Sequence, residues 1–447
     1  MAFTVATAKN KITPTMATNP YLAGYGSADG GRTVSTNTPY EPLYCRAVVI
    51  RENGNPNLIL SADILALPRS MHQRIRARIL ALASWDTSDI MLQSTHTHNG
   101  PVLIDTLQPF MAYGLAEMDE VRSYSSWLED MMVKTAQDAL NASQTSVTLD
   151  YKVGTQTFAV NRAGLPYVER DVPILVARKS NGSPAAVIFG YGCHPVAAGD
   201  QDQYDGDYPS RACNYVESNL GAFALFLQGP GGDQNPANAP SWALRDQDGN
   251  ALGSTVVSAA RSAGRALTGP ITTKYQEVQL PFDIDTSAGN LAVVRGYYAR
   301  RLPNPNGQPA WYARHAQVMM ARIDSGNVAS GMPSPFQVWT IGGSTPLKMA
   351  FIGGELVSGY AVYFRARYGG SNALWIGGYA NESCAYIPSN EFLPPNMPAG
   401  SYEGGWEPDF AGLAGGSMTV YGHIAHFKAG TNGVETTLIN ALTSMLA

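Results

Sequence analysis

The sequence predicts an α/β fold in which a mixed β-sheet core is flanked by helices. Short apolar runs, typical of strands, alternate with segments that have the period of a helix. Turn residues join several neighbouring runs as hairpins, and a helical segment separates two other runs. Of the 447 residues, 45% are hydrophobic and only 15% are charged, which suits broad buried layers. We find no internal repeat or linker, and we therefore expect residues 1–447 to form one domain.

The first third of the chain predicts a hairpin and then a strand–helix–strand unit. Apolar runs at 47–51 and 57–62 flank Glu52-Asn53-Gly54-Asn55, which is typical of a hairpin turn. An amphipathic helix follows, since apolar residues recur every three or four positions at Met71, Ile75, Ile79 and Leu82. The apolar run at 90–92 completes the unit, whose two strands are normally parallel.

Two of the seven histidines, His96 and His98, follow the run at 90–92. In an extended backbone, side chains two residues apart point the same way, so both imidazoles can address one point. Gly100-Pro101 then ends regular structure, and ligand sites of open α/β sheets concentrate at such strand ends. This spacing favours a metal site, and the alternative is a pair of polar residues in a surface loop.

The middle of the chain predicts further strands that end in polar residues. We expect a helix over 124–142, a strand over 147–153 with Asn161-Arg162 in the following loop, and a hairpin of 174–177 with 185–189 that leads into His194. Asp207 is the predicted N-cap of a helix that ends near 218. The strand at 223–227 leads into Gly-rich residues 228–236, which suit either an oxyanion cradle or a wide turn.

The last third predicts helices over 252–267 and 311–323, with a polar, Pro-rich loop at 301–309 between them. A hairpin of 336–341 with 347–352 is then expected to lead into a helix that starts at Gly353-Gly354-Glu355. The helix dipole would favour an ionised Glu355 at that junction. A short strand at 373–376 and a helix at 433–446 complete the chain.

Composition excludes several function classes. The formal charge of −5, without any Lys/Arg-rich stripe, argues against a nucleic-acid partner. No run approaches the eighteen apolar residues of a membrane span, and the N-terminus lacks the pattern of a signal peptide, so we expect a cytoplasmic protein, or a secreted one if a leader was removed. The four cysteines lie far apart and are predicted to be free thiols, at Cys45, Cys193, Cys213 and Cys384.

Several short motifs occur in an order that resembles the catalytic domain of the neutral (alkaline) ceramidases, zinc-dependent amide hydrolases that cut N-acylsphingosines. The resemblance spans nearly the whole chain and rests on Ala8-Lys9-x-x-Ile12-Thr13-Pro14, Ser61-Ala62-Asp63, Thr95-His96-Thr97-His98-x-Gly100-Pro101, Asn161-Arg162, His194, Gly232-Asp233, Gly354-Glu355, Asn381 with Tyr386, and Tyr402-Glu403-Gly404. It implies the mixed α/β architecture of that catalytic domain.

The resemblance also implies roles for individual residues. It assigns zinc to four ligands, His96, His194, Glu355 and Tyr386. Two imidazoles, a carboxylate and a phenol oxygen suit that metal. His98 would be the acid–base histidine beside the metal, with Asp233 nearby. Arg162 and Tyr402 would polarise the substrate carbonyl or hold its oxyanion.

The chain departs from the family pattern in two respects. Asn235 stands where family members carry a serine, and the C-terminal immunoglobulin-like domain of full ceramidases has no counterpart. A carboxamide cannot serve as a hydroxyl nucleophile, although it can donate a hydrogen bond to an acyl oxygen. Both departures favour a substrate other than ceramide.

We therefore predict a zinc hydrolase in which metal-activated water attacks an amide bond of a small soluble or amphiphilic substrate. An ester or lactone hydrolase is the nearest alternative. Two further alternatives are another metal-assisted reaction on a cyclic or glycosidic substrate and a degenerate binding protein. An apolar wall of the pocket is expected from Leu107, Phe110, Met111 and Tyr113. The sequence leaves the oligomeric state open.

Overall fold

The computed structural model describes residues 3–105, 109–304, 307–396, 401–407 and 413–447. Its strands are β1 (Phe3–Lys11), β2 (Tyr21–Leu22), β3 (Arg32–Thr33), β4 (Tyr44–Glu52), β5 (Asn55–Ala62), β6 (Ile90–Ser94), β7 (Thr145–Thr155), β8 (Ala159–Asn161), β9 (Asp171–Arg178), β10 (Pro184–Tyr191), β11 (Phe223–Gln228), β12 (Gln234–Pro236), β13 (Arg265–Leu267), β14 (Ile271–Pro281), β15 (Gly331–Ile341), β16 (Leu347–Ile352), β17 (Glu355–Leu356), β18 (Leu374–Gly377) and β19 (Tyr386–Ile387). Its helices are α1 (Arg69–Leu80), α2 (Pro109–Tyr113), α3 (Asp119–Asn141), α4 (Asp207–Leu220), α5 (Trp242–Ala260), α6 (Ala288–Arg301), α7 (Ala310–Asp324), α8 (Gly359–Arg365), α9 (Gly416–Val420) and α10 (Val434–Leu446).

Two mixed sheets form the centre of the molecule. The larger has the strand order β11-β10-β9-β7-β1-β4-β5-β6, with β13 paired to β7, and the smaller has the order β14-β15-β16-β18. The pairs β5–β6, β10–β11 and β16–β18 are parallel, whereas the other neighbours in these sheets are antiparallel. The mixed α/β class predicted from sequence is confirmed.

The two sheets share an apolar layer. Met91 and Leu225 of the larger sheet pack in one cluster with Trp339, Met349 and Trp375 of the smaller. Helices cover the outer faces, because α1 and α3 pack on β4 and β5, α4 and α5 pack near β9 to β11, and α10 packs on β14 to β16. This arrangement directs the carboxyl ends of β6, β10 and β11 toward one region.

Most of the predicted elements are confirmed. The three hairpins occur as β4–β5, β9–β10 and β15–β16, and β5 is parallel to β6 across helix α1. The predicted helices at 124–142, 311–323 and 433–446 occur as α3, α7 and α10. Among described residues, no helix is long and apolar enough to cross a bilayer, and the four cysteines are free thiols.

The predicted helix over 252–267 is wrong at both ends. Helix α5 begins at Trp242 and stops at Ala260, and residues 265–267 instead form β13 against β7. Arg178 from β9 donates to the carbonyl oxygens of Ala260 and Ser262, which satisfies the end of the helix. At Gly264, a Cβ atom would lie 2.6 Å from the Tyr151 carbonyl oxygen, so the chain passes too close to β7 for a helix.

The segment around Glu355 is also corrected. Glu355 and Leu356 form the short strand β17, and helix α8 begins only at Gly359. Gly354 has φ +123°, a backbone conformation that turns the chain into β17 instead of continuing toward a helix. Glu355 therefore lies opposite Tyr386 in a two-stranded parallel pair with β19.

Helix α4 does not use Asp207 as its N-cap. The helix begins at Asp207 itself, which has φ +54°, and Gly206 is the N-cap residue. The Asp207 carboxylate accepts hydrogen bonds from the backbone nitrogens of Ala197 and Ala198, so it ties the loop after β10 to this helix. The sequence did not predict α6, whose described residues bury few apolar side chains.

Candidate metal centre and active site

His96 and His98 converge, but not by strand alternation. Strand β6 ends at Ser94, and His96 has φ +69°, so the two residues lie in a turn beyond the strand. The turn brings their Nε2 atoms to 3.3 Å, and both side chains are buried. The expected convergence of the two imidazoles is present. It results from the left-handed backbone conformation of His96 and not from the two-residue period of an extended backbone.

His194 and Glu355 complete the centre from two other segments. His194 follows β10, and its Nε2 lies 3.2 Å from Nε2 of His96. Glu355 Oε2 lies 3.1 Å from Nε2 of His96 and 3.2 Å from Nε2 of His194. Tyr386, which pairs with Glu355 across β17 and β19, brings its hydroxyl to 3.1 Å from Nε2 of His194. These four side chains are all buried.

The hydrogen bonds of the two imidazoles determine their tautomers. Nδ1 of His96 lies 2.7 Å from the Leu65 carbonyl oxygen, and Nδ1 of His194 lies 2.8 Å from the Gly231 carbonyl oxygen. A carbonyl oxygen only accepts, so each Nδ1 carries the proton and each Nε2 presents a lone pair. Glu355 Oε2 is buried without a hydrogen-bond donor among the described residues. Three electron pairs therefore face one another, and a cation is the group that would stabilise them.

The donor spacing fits a tetrahedral metal. Nitrogen ligands about 2.0–2.1 Å from zinc in tetrahedral geometry lie roughly 3.3 Å from each other. The separations among His96, His194, Glu355 and Tyr386 given above are 3.1–3.2 Å. Ring nitrogens of His98 and of the other two histidines also lie within 4.8 Å of one another. A nitrogen and oxygen donor set at this spacing fits zinc.

Burial and nearby charge keep two histidines of this centre neutral. Burial, followed by the charge of Arg162, lowers the pKa of His194 to about 4. Burial and the neighbouring His96 hold the pKa of His98 well below its usual range. Neutral imidazole is the form of histidine that binds metals.

Arg162 gathers the other predicted polar residues beside this centre. Its Nε lies 2.6 Å from Oε1 of Glu403, and one terminal nitrogen donates to the Tyr386 hydroxyl at 3.2 Å. The other terminal nitrogen donates to Oδ1 of Asn235 at 3.3 Å. The ring of Tyr402 lies 5.9 Å from the guanidinium carbon. Arg162, Asn235 and Tyr402 are thus brought together, next to Tyr386.

Asp233 lies behind this group and does not reach His98. Its carboxylate accepts from Nδ2 of Asn161 at 2.7 Å, from the backbone nitrogen of Ser358 at 2.7 Å and from the Ser358 hydroxyl at 2.9 Å. Within the described residues no hydrogen bond joins it to His98. Burial raises its pKa. Asp233 ties the end of strand β8 to the N-cap residue of helix α8.

Two residues outside the predicted set hold side chains of this site in place. The Tyr421 hydroxyl donates to Oε1 of Glu355 at 2.5 Å, and Glu403 binds Arg162. Glu403 could have been found from its place in the motif Tyr402-Glu403-Gly404. No pattern distinguishes Tyr421, which follows the short helix α9 and is 66 residues from Glu355.

A cavity of about 320 Å³ opens onto the centre. Its polar end contains His96, His98, Arg162, Asn235 and Tyr402, and its remaining walls include Tyr25, Leu65, Val196, Trp311 and Val420. Of the predicted apolar wall, Leu107 lies outside the described residues, and Phe110, Met111 and Tyr113 belong to α2 and are absent from the described lining. A larger depression of about 650 Å³ beside α3 shares no lining residue with this cavity.

Comparison with solved structures defines the class of the fold, which is that of the neutral ceramidases. A ceramidase complexed with C2 matches with a TM-score of 0.67 and 17% identity, over 94% of this chain and 73% of that chain. The neutral ceramidase from Pseudomonas aeruginosa matches with a TM-score of 0.64 and 17% identity, over 94% of this chain and 72% of that chain. No protein-family model and no curated protein sequence matches. The predicted neutral-ceramidase-like fold is therefore confirmed.

Proposed function

We propose that this protein is a zinc-dependent hydrolase that cleaves an amide bond of a small substrate, and that residues 1–447 act as one catalytic unit. The observation that carries the proposal is the convergence of His96, His194, Glu355 and Tyr386 from four separated segments. Two imidazole lone pairs and a carboxylate oxygen that lie within 3.2 Å of one another are costly to bury unless a cation binds there.

His96, His194, Glu355 and Tyr386 would hold the zinc ion in this proposal. When bound, zinc supplies Lewis acidity, which polarises a carbonyl group and makes water nucleophilic near neutral pH. The backbone carbonyls of Leu65 and Gly231 orient the two imidazoles by accepting from their Nδ1 atoms.

Arg162, Asn235 and Tyr402 would stabilise the oxyanion that develops on the acyl group. Because the guanidinium only donates, Asn235 turns Oδ1 toward Arg162 and leaves its Nδ2 free to donate elsewhere. The side chain of Tyr402 is 39% exposed, and it lines the same cavity. Pairing with Glu403 holds the Arg162 guanidinium in place before substrate arrives, as transition-state stabilisation by fixed donors requires.

His98 would exchange a proton with the leaving group, because its low pKa keeps it neutral and it borders the cavity. Asp233 would act as a positioning residue, since both of its carboxylate oxygens are engaged by Asn161 and Ser358. The amide bond is our first choice because the similar solved structures are ceramidases. Asn235 argues against a route through a serine nucleophile. The cytoplasmic location stays a prediction.

The experiment that tests this proposal measures metal content by elemental analysis, together with turnover of N-acyl amides, esters and short-chain ceramides. We expect about one zinc per chain in the wild type and its loss in His96→Ala and His194→Ala. His315→Ala is the matched control, because His315 is also buried but contacts the His423 carbonyl oxygen away from the centre. A metal-free wild type with full activity would refute the proposal, and zinc without turnover of any acyl substrate would refute the reaction.

A further inference from the structure

We propose that the Tyr25 hydroxyl is a further substrate-binding group, which hydrogen-bonds the departing nitrogen of the scissile amide beside His98. The inference rests on the proposed amide hydrolysis and adds a residue on the leaving-group side of the same site. Tyr25 lies between β2 and β3 and lines the cavity.

The ring of Tyr25 packs directly against the acid–base candidate. It makes an edge contact with the His98 ring at a centroid distance of 5.0 Å. The guanidinium carbon of Arg32 lies 4.9 Å from the centre of the same ring. A phenol that is held between an imidazole and a guanidinium has little freedom to turn, so the direction of its hydroxyl is determined by these contacts.

Two glycines fix the backbone on either side of Tyr25. A Cβ atom on Gly24, which has φ +100°, would lie 2.5 Å from the Cα of His98. A Cβ atom on Gly26 would lie 2.8 Å from the indole ring of Trp311. The loop therefore fits between His98 and Trp311 only because both neighbours of Tyr25 lack a side chain.

Arg32 joins this loop to the histidine turn. Its guanidinium donates to the Ala23 carbonyl oxygen at 2.6 Å and to the His98 carbonyl oxygen at 2.5 Å. It also donates to Oδ1 of Asn99 at 2.9 Å. The backbone before Tyr25 and the backbone of His98 thus share one charged donor. This shared donor fixes the positions of the Tyr25 and His98 side chains relative to each other.

The Tyr25 hydroxyl forms no hydrogen bond with any residue that the structure describes, and it is not a buried atom. Three buried tyrosines differ, since the hydroxyls of Tyr124, Tyr208 and Tyr298 each donate to a backbone carbonyl oxygen. Burial of the ring, followed by the charge of Asp207, raises the pKa of Tyr25, so the hydroxyl stays protonated. A neutral phenol can accept from an amide N–H and donate to an amine lone pair.

The position of Tyr25 assigns it to the nitrogen side of the amide. The acyl-oxygen donors Arg162, Asn235 and Tyr402 cluster around Tyr386, whereas Tyr25 contacts His98. The bonds from the carbonyl carbon of an amide to its oxygen and to its nitrogen point in different directions. With the oxygen held at Arg162, the nitrogen faces His98 and Tyr25.

The test compares Tyr25→Phe with wild type on N-acyl compounds that share one acyl group and differ in the leaving group, from an alkyl amine through nitroaniline to the corresponding ester. Tyr25→Phe keeps the ring contacts and removes the hydroxyl. We expect kcat/KM to fall roughly 10-fold to 100-fold for the alkyl amide and much less for the nitroanilide and the ester, because good leaving groups need little assistance. Zinc content should stay at the wild-type value.

Tyr402→Phe is the matched control, because it removes a hydroxyl from the acyl-oxygen side. It should lower kcat/KM by a similar factor for every amide and leave the dependence on the leaving group unchanged. An equal effect of Tyr25→Phe on all leaving groups, or no effect, would overturn this inference while the proposed function stands. A wild type that turns over no amide would overturn both.

Discussion

Tyr421, which lies outside the predicted ligand set, orients one of the proposed metal ligands. Its hydrogen bond to Oε1 of Glu355 leaves Oε2 as the oxygen that faces His96 and His194. Groups that orient a ligand through a hydrogen bond commonly contribute to metal affinity. The carboxylate is therefore oriented before the metal binds.

Removing this hydroxyl should weaken metal binding. We expect Tyr421→Phe to lower zinc affinity by about 10-fold to 100-fold, measured by competition with a chromogenic chelator. Tyr360→Phe is a suitable control, because Tyr360 is also buried and its hydroxyl donates to the Pro388 carbonyl oxygen. Equal zinc affinities of Tyr421→Phe and wild type would contradict this role.

Arg162 contacts three partners whose geometry only a guanidinium can satisfy. It binds Glu403 through Nε and reaches Tyr386 and Asn235 through its two terminal nitrogens. We expect Arg162→Lys to keep the positive charge but to lower kcat by about 100-fold or more, because an ammonium group cannot hold all three contacts. Steady-state kinetics on the best amide substrate measures the effect, and unchanged zinc content is the control. A rise in KM alone would assign Arg162 to substrate binding instead.

The short strands β17 and β19 have a larger influence on the site than their length suggests. Their parallel register places Glu355 opposite Tyr386, so one pair of strands supplies two of the four proposed ligands. The pair depends on Gly354, where a Cβ atom would lie 2.6 Å from the Ile387 side chain and φ is +123°. A glycine at this position lets the two strands approach.

Gly354→Ala tests the dependence of the centre on this strand pair. We expect the substitution to destabilise the protein by about 1–3 kcal/mol, because alanine is strained at positive φ and crowds Ile387. Zinc affinity should fall as well, since Glu355 and Tyr386 would separate. Gly182→Ala is the control for strain without crowding, because Gly182 also has positive φ but nothing lies near its Cβ position. If Gly354→Ala kept the wild-type zinc affinity, the proposed ligands would not depend on Gly354.

The proposed ligands lie between positions 96 and 386 of the chain, so a metal bound there would crosslink much of the molecule. A metal that binds the folded state and not the unfolded chain stabilises by about 2.7 kcal/mol when its free concentration is 100 times Kd. We therefore expect chelation to lower the Tm of the wild type, measured by calorimetry, and added zinc to restore it. The Tm of His96→Ala should respond to neither. A wild-type Tm that is insensitive to chelator would argue against the metal centre.

Buried histidines away from the centre make the molecule sensitive to acid. Burial lowers the pKa of His423 from 6.5 to about 4, although the bond to the Cys384 carbonyl oxygen opposes this shift. On acidification, the unfolded chain therefore binds a proton at His423 before the folded protein does. The stabilisation from neutral His423 is complete above pH 6.5 and is lost as the pH falls toward about 4. We expect His423→Gln to reduce the pH slope of the unfolding free energy by about 1.4 kcal/mol per pH unit within that window. Urea unfolding at several pH values measures the slope, and an unchanged slope would contradict the assignment.

Local pattern was sufficient for most of the fold. Period-two and helical patterns, with turn residues such as Asn181-Gly182, predicted the hairpins and helices α1, α3, α7 and α10. Errors occurred where another strand decided the conformation. Residues 265–267 pair with β7, and Glu355 pairs with Tyr386, so contacts far along the chain outweighed local helical preference.

The sequence by itself determined the mixed α/β class and the residue types available for a metal site, because side-chain chemistry and hydrophobic period are local properties. Only the tertiary structure decided which of these residues meet. The hydrogen bond of Tyr421 to Glu355 and that of Ser358 to Asp233 each join distant segments. Distances between atoms in such segments depend on the packing of the whole chain, and no local pattern encodes them.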